Sequence, residues 1–225
     1  MPIADLPLRY AATWNKATRH PFLLAVRDGT VSEAAFETWQ VQDHHFVSDL
    51  LGFQRRLQTR APRHAQVVLA GGVVALVDEL GWFEKQAAAR RLDLDTPAVP
   101  ATAAYAALLG RLQDADVAVA LAALWAIERV YLDAWSFAAP GAPAYRDFVA
   151  HWTTPQFAAY VDALEQTADG ALGSAGEGPV LDAVFAEVVA AECRFWDTAV
   201  GDTAVGDTAV GDTAPGHVTS RGQVS

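Results

Sequence analysis

The stretch LAALWAIERVYLDAW, residues 121–135, constrains the fold of this chain more than any other. At a helical period Leu121, Leu124, Trp125, Tyr131, Leu132 and Trp135 fall on one apolar stripe. Glu128 lies inside that stripe, one turn from Trp125 and one from Leu132. Burying a carboxylate there without a partner costs roughly 2 kcal/mol or more. It therefore needs a partner or a cavity. The anomaly recurs twice. In residues 34–51 Phe36, Trp39, Phe46, Val47 and Leu50 make the stripe, and Asp43 interrupts it. In residues 179–196 Leu181, Val184, Phe185, Val188, Phe195 and Trp196 make it, and Glu192 interrupts it. Three helices, each with one inward acid, imply a shared interior site. Acids facing one another in a dry site cannot all ionise, which suits one as base or acceptor and another as proton donor. The competing reading turns these acids outward or pairs them with Arg55, Arg129 or Arg194.

The rest of the chain reads as further helix. Residues 5–18 predict a first helix with Leu8, Ala12 and Trp14 facing in, interrupted at His20-Pro21. Ser32 followed by Glu33 suits the start of a long helix running to about Arg60. A fourth spans about 64–92, and its Gly71, Gly72 and Gly81 suggest close packing or a kink. Helices follow at 105–112, 116–137, from 145, from Pro155, and at 179–196. No alternating β-branched run flanked by hairpin turns occurs. The fold class is all-α, one bundle of about eight helices over residues 1–196. Residues 197–225 open with four pentapeptide repeats, DTAVG three times and then DTAPG. These are too weakly apolar to bury anything, so the tail is expected to be disordered.

Composition closes off several functions. The net charge of −11 with no basic stripe argues against a nucleic-acid partner. One Cys and one Met leave no disulfide framework or cysteine-rich zinc site. No signal-like opening and no uninterrupted 18-residue apolar run argue for a cytoplasmic protein without a membrane partner. His44 and His45 adjoin Asp43, but neither Glu128 nor Glu192 has a His three residues on, so a di-iron set is incomplete and no metal is expected. No cofactor is implied: His20 before Pro21 is a poor haem ligand, and nucleotide fingerprints and a nucleophile elbow are absent. Cys193 points about 100° from Glu192 and reads as packing. The aromatic residues, Trp39, Phe46, Trp82, Tyr105, Trp125 and Trp152 among them, combine with the acids into what a flat amino-substituted heteroaromatic ring needs.

The set HPF (20–22), DGT (28–30), FETWQVQD (36–43), ELGWFE (79–84), HWTTPQF (151–157) and ECRFW (192–196) resembles the TenA family of thiamin-salvage proteins. The resemblance spans residues 10 to about 198. It implies a haem-oxygenase-like helical fold, a homo-oligomer (dimer or tetramer), and release of hydroxymethylpyrimidine from degraded thiamin. By position Asp43 matches the acid that holds the aminopyrimidine edge, and Glu192 the acid that activates water or protonates the leaving amine. Tyr105 matches a pocket tyrosine. The best-known branch carries a nucleophilic cysteine where this chain has Ala126, with Glu128 close by. Phe46 and Trp152 stand where that branch has tyrosines. The chain thus resembles the Cys-lacking, Glu-bearing branch, whose plant members act on amino- and formylamino-pyrimidines. That implies a C–N hydrolase without thiaminase activity, in which Glu128 and Glu192 share catalysis and Asp43, Phe46, Tyr105 and Trp152 bind substrate. Two alternatives stand beside it: a pyrimidine-binding or regulatory protein without turnover, and a redox relative of the pyrroloquinoline quinone synthase type. The latter's basic, His-rich pocket is not evident here.

Overall fold

From Val119 to Glu128 one helix is buried on every side, as an all-round apolar sequence requires. This helix, α7 (Val117–Ala138), is the axis of the molecule. The computed structural model describes residues 2–172 and 178–200. Around α7 it arranges α1 (Leu6–Arg9), α2 (Ala11–Thr18), α3 (Pro21–Asp28), α4 (Glu33–Arg60) and α5 (Arg63–Arg90). The later helices are α6 (Pro100–Leu112), α8 (Arg146–His151), α9 (Pro155–Leu172) and α10 (Gly178–Val200). The described residues contain no strand. α7 packs against α9, α10, α2, α3 and α4, while α5 closes the bundle against α4 and α9.

Local chemistry sets several boundaries. Ser32 caps α4, its hydroxyl accepting Ala35 N–H at 3.2 Å. Asp116 does the same for α7 through Ala118 N–H at 2.8 Å. Pro21 takes the first position of α3, and Gly29 ends it at φ 75°, in the left-handed region.

Two expectations shift. The segment 5–18 is not one helix: it breaks at Tyr10 (φ −105°, ψ 31°), which rotates the second half relative to the first. Leu6, Trp14 and Ala17 therefore face in, whereas Leu8 and Ala12 are exposed. At the other end, α10 continues past residue 196 to Val200, with Ala199 buried and Asp197 accepting a hydrogen bond from His20 Nε2 at 3.1 Å. The remaining repeats, 201–225, and with them the expected disorder, lie outside the described residues.

The three glycines of α5 differ in kind. A Cβ on Gly71 or Gly81 would meet nothing within 4 Å. One on Gly72 would overlap Gln54 Nε2 of α4 and the Tyr160 hydroxyl of α9. Gly72 is thus what lets three helices converge. Gly72→Ala is expected to lower stability by about 1–3 kcal/mol, because it also displaces the Gln54 amide from its 2.9 Å bond to Leu69 O. Gly81→Ala should be neutral or stabilising by up to about 1 kcal/mol. Thermal unfolding of the two variants side by side checks this; equal midpoints would refute the packing role of Gly72.

The outer side of α5 is also apolar, with Val67, Val74 and Val77 exposed. By length and composition alone this helix would suffice to cross a bilayer. Its inward face, carrying Leu69, Gly72, Leu76 and Phe83, is nevertheless buried against the bundle.

Candidate active site

A cavity of about 500 Å³ opens where α4, α5, α7, α8 and α9 meet. Phe46 and Leu50 of α4, Gly72, Leu76 and Glu79 of α5, and Glu128 and Tyr131 of α7 form three of its walls. Trp152 just after α8, with Phe157 and Tyr160 of α9, completes it. Of the side chains expected at the site, Phe46, Trp152 and Glu128 border the cavity. Asp43, Tyr105 and Glu192 are buried as well but stand behind the wall, not in it.

That second layer is joined to the first. Tyr131, which borders the cavity, donates its hydroxyl to Asp43 Oδ2 at 2.6 Å. Tyr105 donates to Glu192 Oε2 at 3.1 Å, and its ring packs on that of Phe46 with centroids 4.6 Å apart. Asp43 Oδ1 and Glu192 Oε1 are buried without a hydrogen-bond partner. Orphaned acceptors of this kind cost about 1–3 kcal/mol each unless the group is protonated or a ligand or water reaches it. The arginine pairings are not formed: Arg55 and Arg194 are exposed, and Arg129 bonds Asp133 at 3.0 Å.

A fourth acid belongs to the set. Glu79 borders the cavity and accepts the Trp152 indole N–H at 2.6 Å. In α5 it shares one helical face with Gly72, Leu76 and Phe83.

Burial governs the charge of all four. It pushes Glu79 up to about 7. Glu128 is pushed up to about 8 by burial first, then by the nearby charges of Glu79 and Glu192. Burial also takes Glu192 to about 8, with the Tyr105 hydroxyl pulling the other way. Asp43 rises well above the usual carboxylate range through burial, against the opposing bond from Tyr131. At neutral pH the site therefore holds carboxylic acids poised to give up a proton and carboxylates able to take one.

Cys193 takes no part. It borders a separate surface cleft with Lys16, Arg19 and His20, and burial pushes its thiol up to about 11. Among the described residues no three metal-ligating side chains come together.

The comparisons with known proteins fit this arrangement. A curated protein of Glycine max, named "Probable bifunctional TENA-E protein", is 30% identical over 207 residues, covering 86% of this chain and 90% of that protein. A TenA homologue from Pyrococcus furiosus superposes with a TM-score of 0.82 at 27% identity, covering 87% of this chain and 98% of that one. A TenA homologue from P. horikoshii has the same fold, with a TM-score of 0.80 at 19% identity over 88% and 98% of the two chains. Residues 9–202 match the TENA/THI-4/PQQC family as a whole, and the chain belongs to this family, as a TenA protein.

Proposed function

We propose that the protein is a thiamin-salvage hydrolase that cleaves the exocyclic C–N bond of amino- or formylamino-hydroxymethylpyrimidine-type breakdown products without a cysteine nucleophile. The observation that carries this is Glu128: a carboxyl raised to about 8 bordering a cavity with room for a pyrimidine, whose lining holds no cysteine. The TENA-E relative supports the same branch. Phe46 and Trp152 line the cavity with the aromatic rings a pyrimidine would pack against. Asp43, reached through Tyr131, orients the polar edge of the ring.

With an aminomethyl substrate, water oxygen bonds to the exocyclic methylene carbon as the C–N bond breaks. An amine that arrives neutral leaves with the Glu128 proton, and the carboxylate so formed takes a proton from the attacking water; an amine that arrives protonated leaves as ammonia, and ionised Glu128 takes the water proton. With a formylamino substrate, water adds to the formyl carbon and the amide C–N bond breaks, giving formate and the amine. Burial first, and then the neighbouring Glu79 and Glu192, keep the Glu128 proton in place until substrate arrives.

Incubation with aminomethyl- and formylaminomethyl-pyrimidine and with thiamin tests the reading, following hydroxymethylpyrimidine, ammonia and formate. Turnover of a pyrimidine but not of thiamin is the expected result. Tight binding without turnover would replace it by the non-catalytic binding protein. Thiamin cleavage would demand another nucleophile. The exposed Val67, Val74 and Val77 on α5 support, within the same proposal, a homo-oligomer, which sedimentation would read directly.

A further inference from the structure

Apart from the solvent-exposed Asp78, Glu79 is the cavity-lining acid to which the hydrolytic scheme gives no task. It projects from the α5 wall, whereas Glu128 and Tyr131 belong to the α7 wall. Its Oε1 holds the Trp152 indole at 2.6 Å, and no hydrogen bond from a described residue engages Oε2. A strong acceptor oxygen is thus fixed at the indole edge of Trp152, in a wall that a ligand would touch. The charges around it are lopsided. The ionisable cavity-lining groups apart from the tyrosines are Asp78, Glu79, Glu128 and His151, with no Lys or Arg. His151 stacks on Trp82 with centroids 4.1 Å apart, and burial lowers its pKa, which favours its neutral form. Behind the wall stand Asp43 and Glu192, also acids.

A phosphate-bearing ligand would find repulsion here and no counter-charge. A cation would find the lining carboxyls of Asp78, Glu79 and Glu128, no competing ammonium or guanidinium, and the rings of Phe46, Tyr131 and Trp152 in the wall. We infer that Glu79 is a specificity-determining residue that selects ligands carrying a protonated amine on the arm of the ring. The inference rests on this cavity being the pyrimidine site and adds a ranking to it: the cationic aminomethyl compound is preferred over neutral analogues of similar shape.

Stopped-flow tryptophan fluorescence reads binding before turnover accumulates. The two probes are aminomethylpyrimidine and its neutral hydroxymethyl counterpart, titrated into the full chain at pH 7.5. The wild type should bind the cation at least about tenfold more tightly. Glu79→Gln should bring the two ligands to within about threefold by weakening the cation alone. Asp162→Asn, at a solvent-exposed position of α9 outside the cavity wall, should keep the preference. If the Gln variant does not fold, Glu79→Asp, which withdraws the carboxylate by one methylene, should reduce the preference. A preference that survives Glu79→Gln overturns the inference. So does an equal loss of both ligands, the mark of a residue that only supports Trp152, or failure of the wild type to bind either ligand. A wild type that keeps the binding ratio but turns over nothing would instead remove the hydrolase reading and leave the inference standing.

Discussion

Glu128→Gln is expected to lower kcat on the pyrimidine substrate by about 10³-fold while making the protein more stable at pH 8. The first effect follows from removing the group that both gives and takes the proton, since a positioned acid–base residue contributes about 10²–10⁴-fold. Gln keeps the shape of the side chain, so binding should change little and the loss should lie in kcat. The second effect has a separate cause. Glu128 is buried, has no arginine partner, and sits near the charges of Glu79 and Glu192. In the unfolded chain it ionises freely at pH 8; in the folded chain it is held protonated up to about 8. Folding at that pH must suppress this ionisation, at about 1.4 kcal/mol per unit. Gln has nothing to suppress. A domain of this size gains about 2–4 °C in Tm per kcal/mol, so the variant should unfold at least about 5 °C higher at pH 8. At pH 4.5 the two proteins should unfold together. Steady-state kinetics with melts at both pH values decides the matter. Full activity would remove Glu128 from the chemistry, and an unchanged melt at pH 8 would mean that its carboxyl finds a counter-charge.

The acids on α4, α7 and α10 were legible because each is a charged residue on an otherwise clean apolar stripe. Such a position has few physical explanations, and α7 itself stands out by being apolar all round. Glu79 was not legible for the opposite reason. α5 has valines outside as well as inside, Val67, Val74 and Val77 being exposed, so periodicity there does not say which face is inward. The break at Tyr10 likewise hid the orientation of Leu8, because a single irregular backbone step resets the phase of everything before it. What separates Glu128, in the cavity wall, from Glu192, behind it, is the packing of α8 and α9 against α7, with α5 closing over them against α4 and α9. Those contacts join residues far apart in the chain and leave no local pattern. The same holds for the Tyr131–Asp43 and Tyr105–Glu192 bonds, which link positions 88 and 87 residues apart.

The wild-type protein should lose stability as pH rises from about 6.5 to 8, the range in which many proteins are at their most stable. Four acids in and behind the cavity wall have folded-state pKa values above their unfolded ones: Glu79 at about 7, Glu128 and Glu192 at about 8, and Asp43 well above the usual carboxylate range. Between the unfolded and folded values the native state binds more protons than the unfolded chain. Stability therefore falls with rising pH and has lost the whole contribution once the folded values are passed. The histidines act in the other direction. Burial lowers His20, His44 and His151, so the native state binds fewer protons on them, and they add stability as pH approaches 6.5. Above that value their effect is spent and the acids act alone. Because Glu128 titrates in the field of Glu79 and Glu192, the fall should spread over the interval, with no single sharp step. Each acid still titrating contributes up to about 1.4 kcal/mol per pH unit, so the midpoint should drop by several degrees between pH 6.5 and 8. Replacing Glu79, Glu128 and Glu192 together by Gln should flatten the profile. A melting temperature that stays level or rises from pH 6.5 to 8 would mean that the acids are ionised and paired in the native state. The protonated donor on which the hydrolytic scheme depends would then be missing.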